Sequence, residues 1–205
     1  YPSIRDGQRD FIIETFRSIR TKKRLLVNAP TGIGKTMSAL YPAVKAIGEG
    51  FADKVFYLTA KSVTGNAAMD AAKELREQAP LLRAIMITAK DRQCPLVTNE
   101  APFSQYNCIR GCAMTDEIGG TPYEERRDSA LLELLETHGI YTPDIIAKTA
   151  IKYSLCPYEL SLDLSEYCEL VVCDYNYIFD KRIRFRRYFD NVTEKYVFLV
   201  DEAHN

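Results

Sequence analysis

The sequence predicts an α/β fold: a parallel sheet with helices on both faces, interrupted by a small, mainly helical, cysteine-rich insertion. Three observations predict it. Short apolar runs alternate with stretches of helical periodicity over residues 1–90. The alternation stops near residue 91, where cysteines, prolines and the Gly119-Gly120 pair replace the periodic pattern. It returns with Leu170-Val171-Val172-Cys173 and closes on Val197-Phe198-Leu199-Val200. Strands that alternate with helices imply parallel pairing and crossover connections.

Each element follows from its pattern. Phe11, Ile12, Phe16 and Ile19 recur at helical spacing within residues 7–20. Residues 24–28, with Leu25-Leu26-Val27, read as a strand, and Met37 to Ile47 as a helix. Val55 to Leu58 reads as a second strand, Lys61 to Gln78 as an alanine-rich helix, and Ala84 to Ile87 as a third strand. Helical stretches follow near 122–137 and 143–153. The expected organisation is a discontinuous sheet domain, 1–90 and 161–205, with 91–160 inserted. No internal repeat or low-complexity tract is visible.

Composition narrows the class. The 205 residues suffice for one large or two small domains, with 27% charged residues and a net charge of −1. Such a chain is not a bulk polyanion binder, so any nucleic-acid contact must be local. No apolar stretch reaches membrane-spanning length and no signal-peptide pattern is present, which reads as a cytoplasmic protein with no membrane partner. Six cysteines in that setting point to metal or redox chemistry rather than disulfides. Tyr1 in place of an initiator Met, and Asn205 directly after the last strand, read as the ends of an excised piece of a longer polypeptide.

Ala29-Pro30-Thr31-Gly32-Ile33-Gly34-Lys35-Thr36 joins the first predicted strand to a helix, the setting a phosphate-binding loop requires. Gly32 and Gly34 let backbone N–H groups turn toward phosphates, and the helix start adds positive potential. Lys35 can reach the β- and γ-phosphates and Thr36 a Mg²⁺ ion. Ala29 departs from the strict pattern, which has glycine there. Asp201-Glu202-Ala203-His204 ends the last strand. Asp201 is placed to hold Mg²⁺ and Glu202 to polarise an attacking water. The two segments together make the halves of an ATP-hydrolysing site.

Cys94, Cys108, Cys112 and Cys156 lie in the predicted insertion. The Cys108-x-x-x-Cys112 spacing lets two thiolates point at one centre. By ligand type the set fits structural Zn²⁺ and an iron–sulfur cluster equally, and one short pair with two isolated cysteines leans toward a cluster. Cys168 and Cys173 read as packing residues.

With these motifs in this order, the chain resembles the XPD/DinG family of superfamily 2 DNA helicases with an iron–sulfur domain. The resemblance rests on Ala29 to Thr36, Tyr57-Leu58-Thr59-Ala60-Lys61, Thr88-Ala89-Lys90-Asp91 leading to Cys94-Pro95, the Cys108/Cys112 pair, Cys156-Pro157-Tyr158, Asp174-Tyr175-Asn176-Tyr177 and Asp201 to His204. It implies a P-loop NTPase, RecA-like sheet, a [4Fe–4S] cluster on the four cysteines, and a 5′-to-3′ motor on single-stranded or forked DNA. It implies that Thr59, Ala60 and Lys61 meet the DNA backbone, and that His204 couples nucleotide state to DNA. Arg5 and Gln8 resemble an adenine-recognising element, though ordinary solvated polar residues fit as well. Ser62 and Thr64 fit phosphate contact and plain helix capping alike. A second recombinase-like domain with the arginine fingers belongs to the family but not to this sequence, so the 205-residue piece is expected to bind nucleotide weakly and not to unwind DNA. The alternative is a zinc-stapled, nucleotide-dependent binding module without motor activity. A cluster that senses redox state on DNA is a third.

Lys181 to Arg187 carries five cations. If extended, Arg182, Arg184 and Arg186 would face one way, suiting a phosphate backbone or merely a solvated edge. Tyr106, Tyr158, Tyr175 and Tyr177 could stack bases, or pack in the core and rim. His138 reads as a helix-end surface residue.

Overall fold

The computed structural model describes residues 7–30, 32–60, 62–97, 112, 114, 120–190 and 194–203. In chain order these form α1 (Gln8–Arg20), α2 (Lys35–Gly48), β1 (Lys54–Leu58), α3 (Ser62–Gln78), β2 (Ala84–Met86), α4 (Lys90–Gln93), α5 (Tyr123–Thr137), β3 (Ile140–Tyr141), α6 (Pro143–Lys152), α7 (Pro157–Ser165), β4 (Leu170–Cys173), α8 (Asn176–Phe179), α9 (Arg186–Phe189) and β5 (Tyr196–Val200). Among the described residues the sheet has five strands, and β5 is one of its edges. The described residues fall into two compact units, one within Tyr1–Ala84 and Cys168–Asn205, the other within Ile85–Tyr167.

In the first unit β1 is buried along its whole length, Lys54 included, as a strand between two parallel neighbours must be. It pairs with β4 on one side and β5 on the other, and Leu58 stands level with both Cys173 and Val200. Three strands therefore stop at one line. Phe56 anchors the core: its ring stacks on Phe198 at 5.5 Å and meets Tyr188 and Tyr196 edge-on at 5.3 and 5.5 Å. On α2, Leu40, Ala43 and Ala46 are fully buried at i, i+3, i+6, the inward stripe of a packed helix.

Two expectations fail in this unit. Residues 24–28 are not a strand; they run without regular structure, and Leu26 is 94% exposed. An apolar run becomes a strand only by finding a ladder partner, and this one follows Lys22, Lys23 and Arg24, with Lys22 in the left-handed region at φ 55°. The basic segment is not extended either. Residues 181–184 turn and 186–189 form α9, so the alternation of cations does not arise. Arg182 pairs with Asp180 at 3.1 Å and Arg184 with Asp190 at 3.2 Å, while Phe185 is buried.

The second unit is mainly helical, with α5 and α6 at the two helical stretches expected near 122–137 and 143–153, while α7 and the short β3 were not foreseen. Thr142 caps α6 by accepting the Ile145 N–H at 3.4 Å, and Pro143 opens the helix where no N–H is needed. Arg126 of α5, itself buried, donates to the carbonyls of Tyr153 and Ser154 just beyond the end of α6. Leu134, Ile146, Leu160 and Leu164 form the apolar interior. Among the described residues no helix is long and apolar enough to cross a membrane.

Candidate functional site

The level strand ends of the first unit create the site. One residue beyond the ladder, the Thr59 N–H donates to the Cys173 carbonyl and the Asp201 N–H to that of Leu58, each at 3.0 Å. Asp201 is thus locked by its backbone before its side chain is considered. Its Oδ1 accepts the Glu202 N–H at 3.0 Å and its Oδ2 accepts the Tyr57 hydroxyl at 2.8 Å. Its carbonyl accepts the Tyr175 hydroxyl. Glu202 follows with φ 52°, an uncommon conformation for a non-glycine residue.

Tyr57 is 2% exposed, and the Thr36 side chain, close to its phenol oxygen, acts to lower its pKa. Burial, then the hydrogen bond to Asp201 and the charge of that carboxylate, hold the phenol well above its usual pKa, so it keeps its proton and remains a donor. Tyr175 is pushed up by burial first and the Asp201 charge second, with the Ala60 N–H acting the other way.

The phosphate loop approaches from the other side. Gly32 and Gly34 stand at φ 85° and 83°, left-handed backbone that glycine adopts without penalty. α2 begins directly at Lys35. Gln8, 9% exposed, covers the loop: a Cβ added at Gly34 would lie 3.0 Å from its Nε2. Lys35 Nζ lies 3.6 Å from Glu202 Oε1 across a partly exposed gap. A cation, a helix start, a hydroxyl and two carboxylates therefore converge, the complement needed to bind and cleave a polyphosphate.

Of the residues singled out by sequence, the structure brings Gln8, Gly34, Lys35, Thr36, Asp201 and Glu202 together. Gly32 and Ile33 lie in the same loop, Ile33 with its Cδ1 3.3 Å from where a Cβ on Gly7 would stand. Arg5, Thr31, Lys61 and His204 lie outside the described residues. Thr59 is buried and Ala60 exposed, so of this pair only Ala60 faces solvent. Arg184 and Arg186 belong to the turn and α9, away from regular strand structure. Tyr177 is a core residue, stacked on Phe185 at 4.6 Å. His138 caps the end of α5 and is exposed. Tyr57 carried no assigned role in the sequence reading. Its signal was a hydroxyl inside an otherwise apolar strand.

In the second unit Cys94 ends α4 and Cys156 precedes α7, two helices joined by the Lys90–Glu159 pair at 2.7 Å. Lys90 also sits 5.2 Å over the ring of Tyr158. Burial pushes the Cys156 thiol up, while the N–H groups of Glu159 and Tyr158 and the Lys90 charge favour its thiolate. Cys112 is partly exposed, and Cys108 and Tyr106 lie outside the described residues. Among the described residues no three His, Cys, Asp or Glu side chains gather where they could hold a metal ion. Cys168 and Cys173 are buried, and burial drives both thiols well above their usual pKa, as expected of packing residues.

Comparison with known proteins agrees with this geometry. The DEAD_2 family matches residues 62–205, and the DEAD/DEAH box helicase family matches residues 9–98. The ATP-dependent DNA helicase XPD of Sulfolobus acidocaldarius is 22% identical over 202 residues, covering 98% of this chain and 33% of that protein. The general transcription and DNA repair factor IIH helicase subunit XPD/RAD3 of Saccharomyces cerevisiae is 24% identical, covering 100% of this chain and 29% of that protein. A solved XPD helicase superposes with a TM-score of 0.64 at 19% identity, over 99% of this chain and 33% of that one, which shows a shared fold. The chain spans about a third of the length of these relatives.

Proposed function

Because the chain belongs to the DEAD_2 family, we propose that it is the nucleotide-binding part of an ATP-driven DNA helicase. The approach of Lys35 to Glu202, 3.6 Å apart where three parallel strands end, carries this reading. When ATP enters, its phosphates displace that ion pair: Lys35 turns to the β- and γ-phosphate oxygens and Glu202 is released toward the lytic water. Water oxygen attacks the γ-phosphorus, the bond to the bridging oxygen of ADP breaks, and the water proton passes to Glu202. Thr36 and Asp201 would hold a Mg²⁺ ion, which would supply charge neutralisation at the phosphates. Gln8 borders the loop, consistent with a role beside the base.

Thr59, Ala60 and Lys61 form the DNA-facing segment in this reading, with Arg184 and Arg186 as local cations for the backbone. The activity needs a partner domain that supplies arginine fingers, so the 205-residue chain alone binds nucleotide weakly and does not separate strands. Travel is assigned as 5′-to-3′ from the resemblance to the XPD/DinG family.

Cys94, Cys108, Cys112 and Cys156 are the proposed ligands of a [4Fe–4S] cluster. The donors are of the right type and two of them border the joined α4 and α7, although among the described residues no three donors gather around one centre. Burial raises the Cys156 thiol, while backbone N–H groups at the start of α7 favour its thiolate. The cluster would staple the second unit near the duplex fork.

ATP hydrolysis by the full-length protein, with and without forked DNA, tests the reading. Lys35→Ala and Glu202→Gln should each abolish DNA-stimulated turnover; retained turnover in both sinks it. Iron, labile sulfide and zinc on anaerobically purified protein test the cluster. About four iron and four sulfide per chain, lost in Cys108→Ala, support it; one zinc without iron replaces it with the binding-module reading.

A further inference from the structure

The phenol of Tyr57 lies between the two halves of the site. On β1, Tyr57 stands level with Leu199 of β5, and Asp201 lies two residues beyond Leu199, on the same face of the sheet. That register brings the Tyr57 hydroxyl to Asp201 Oδ2 at 2.8 Å. The side chain of Thr36, the second residue of α2, also acts on the phenol. A hydroxyl at 2% exposure is costly unless it finds a partner, and here its proton goes to Asp201. Phenylalanine would fill the same space. The two carboxylate oxygens of Asp201 are consequently each fixed by one donor, Oδ1 by the Glu202 N–H and Oδ2 by Tyr57, leaving a lone pair of each for a ligand.

We propose that the Tyr57 hydroxyl is a positioning group that fixes Oδ2 of the Asp201 carboxylate and so sets the orientation in which that carboxylate receives the divalent cation. The assignment rests on the nucleotide-site reading above. Tyr57 touches neither nucleotide nor cation; it acts through Asp201, as outer-shell donors do when they orient metal ligands.

The test is a Mg²⁺ titration of ATP hydrolysis by the full-length protein at saturating ATP, comparing wild type with Tyr57→Phe. The half-saturating Mg²⁺ concentration should rise about tenfold or more, with DNA affinity unchanged. Superimposable Mg²⁺ curves overturn the assignment, and so does a fall in turnover without a change in Mg²⁺ requirement. Should Tyr57→Phe fail to fold, 3-fluorotyrosine at position 57 retains the hydroxyl. Its ¹⁹F resonance should shift when Mg²⁺ is added to the ADP-bound protein, and an unmoved resonance overturns the assignment. Lys35→Ala separates the two levels. If it leaves hydrolysis intact the site reading itself is wrong; if it abolishes hydrolysis while Tyr57→Phe leaves the Mg²⁺ curve unmoved, only the role of Tyr57 is wrong.

Discussion

The carboxylate half and the phosphate half of the site are built in opposite ways. Asp201 and Glu202 extend a strand that is hydrogen-bonded along its length to β1, and Asp201 alone receives Tyr57, Tyr175 and the Glu202 N–H. The chain that leads to the phosphate loop has no strand at all; residues 24–30 lack regular structure, and the loop is held where α2 packs on α1. The carboxylates, whose angles decide proton transfer, are preorganised by the sheet. The loop, which wraps its ligand with backbone N–H groups, keeps its freedom until α2 begins. Preorganisation is invested where a misplaced group slows the reaction most.

The largest expected effect tests the rigid half. Glu202→Gln should lower DNA-stimulated hydrolysis by about 10²–10⁴-fold in the full-length protein while nucleotide binding survives, because only the proposed base is lost. Parallel loss of nucleotide binding would show that the Lys35–Glu202 pair shapes the loop, and the contrast would blur. Next is the scaffold beneath it. Phe56→Ala removes a fully buried ring from the centre of β1 and should cost about 3–5 kcal/mol in urea unfolding. A cost under about 1 kcal/mol would mean that the aromatic cluster is not what holds β5 level with β1.

Smaller effects probe the loop. Gly34→Ala must adopt φ 83° and also crowd Gln8, whereas Gly32→Ala meets nothing within 4 Å. Both should lose about 1–2 kcal/mol from backbone strain, with Gly34→Ala the worse in stability and in nucleotide affinity. Equal losses would remove Gln8 from the account of the loop. Leu26→Ala should change stability by no more than about 0.5 kcal/mol, since its side chain is already in water. A core-sized loss there would place residues 24–28 in a ladder after all, and the two halves would be alike.

Most of this fold was legible because its signals are local. The apolar runs at Val55, Leu170 and Val197 became β1, β4 and β5, and the spacing of Phe11, Ile12, Phe16 and Ile19 became α1. Leu25-Leu26-Val27 carries the same signal yet forms no strand, since hydrophobicity selects burial only when a neighbour offers an edge. The alternating arginines misled in the same way: Asp180 and Asp190 capture Arg182 and Arg184, and Phe185 is drawn into the core. Lys35, Thr36, Asp201 and Glu202 were readable because each belongs to a contiguous motif. Tyr57 and Tyr175 were not, because their roles arise from register, which joins residues 144 and 26 positions apart.

Glu202 occupies left-handed backbone at φ 52°, where any side chain with a Cβ is disfavoured by about 1–2 kcal/mol relative to glycine. Selection for folding alone would put glycine there. Directed evolution of this chain for heat resistance, without a screen for turnover, should therefore replace Glu202 early, and a thermostable lineage that keeps it would have been selected for more than its fold.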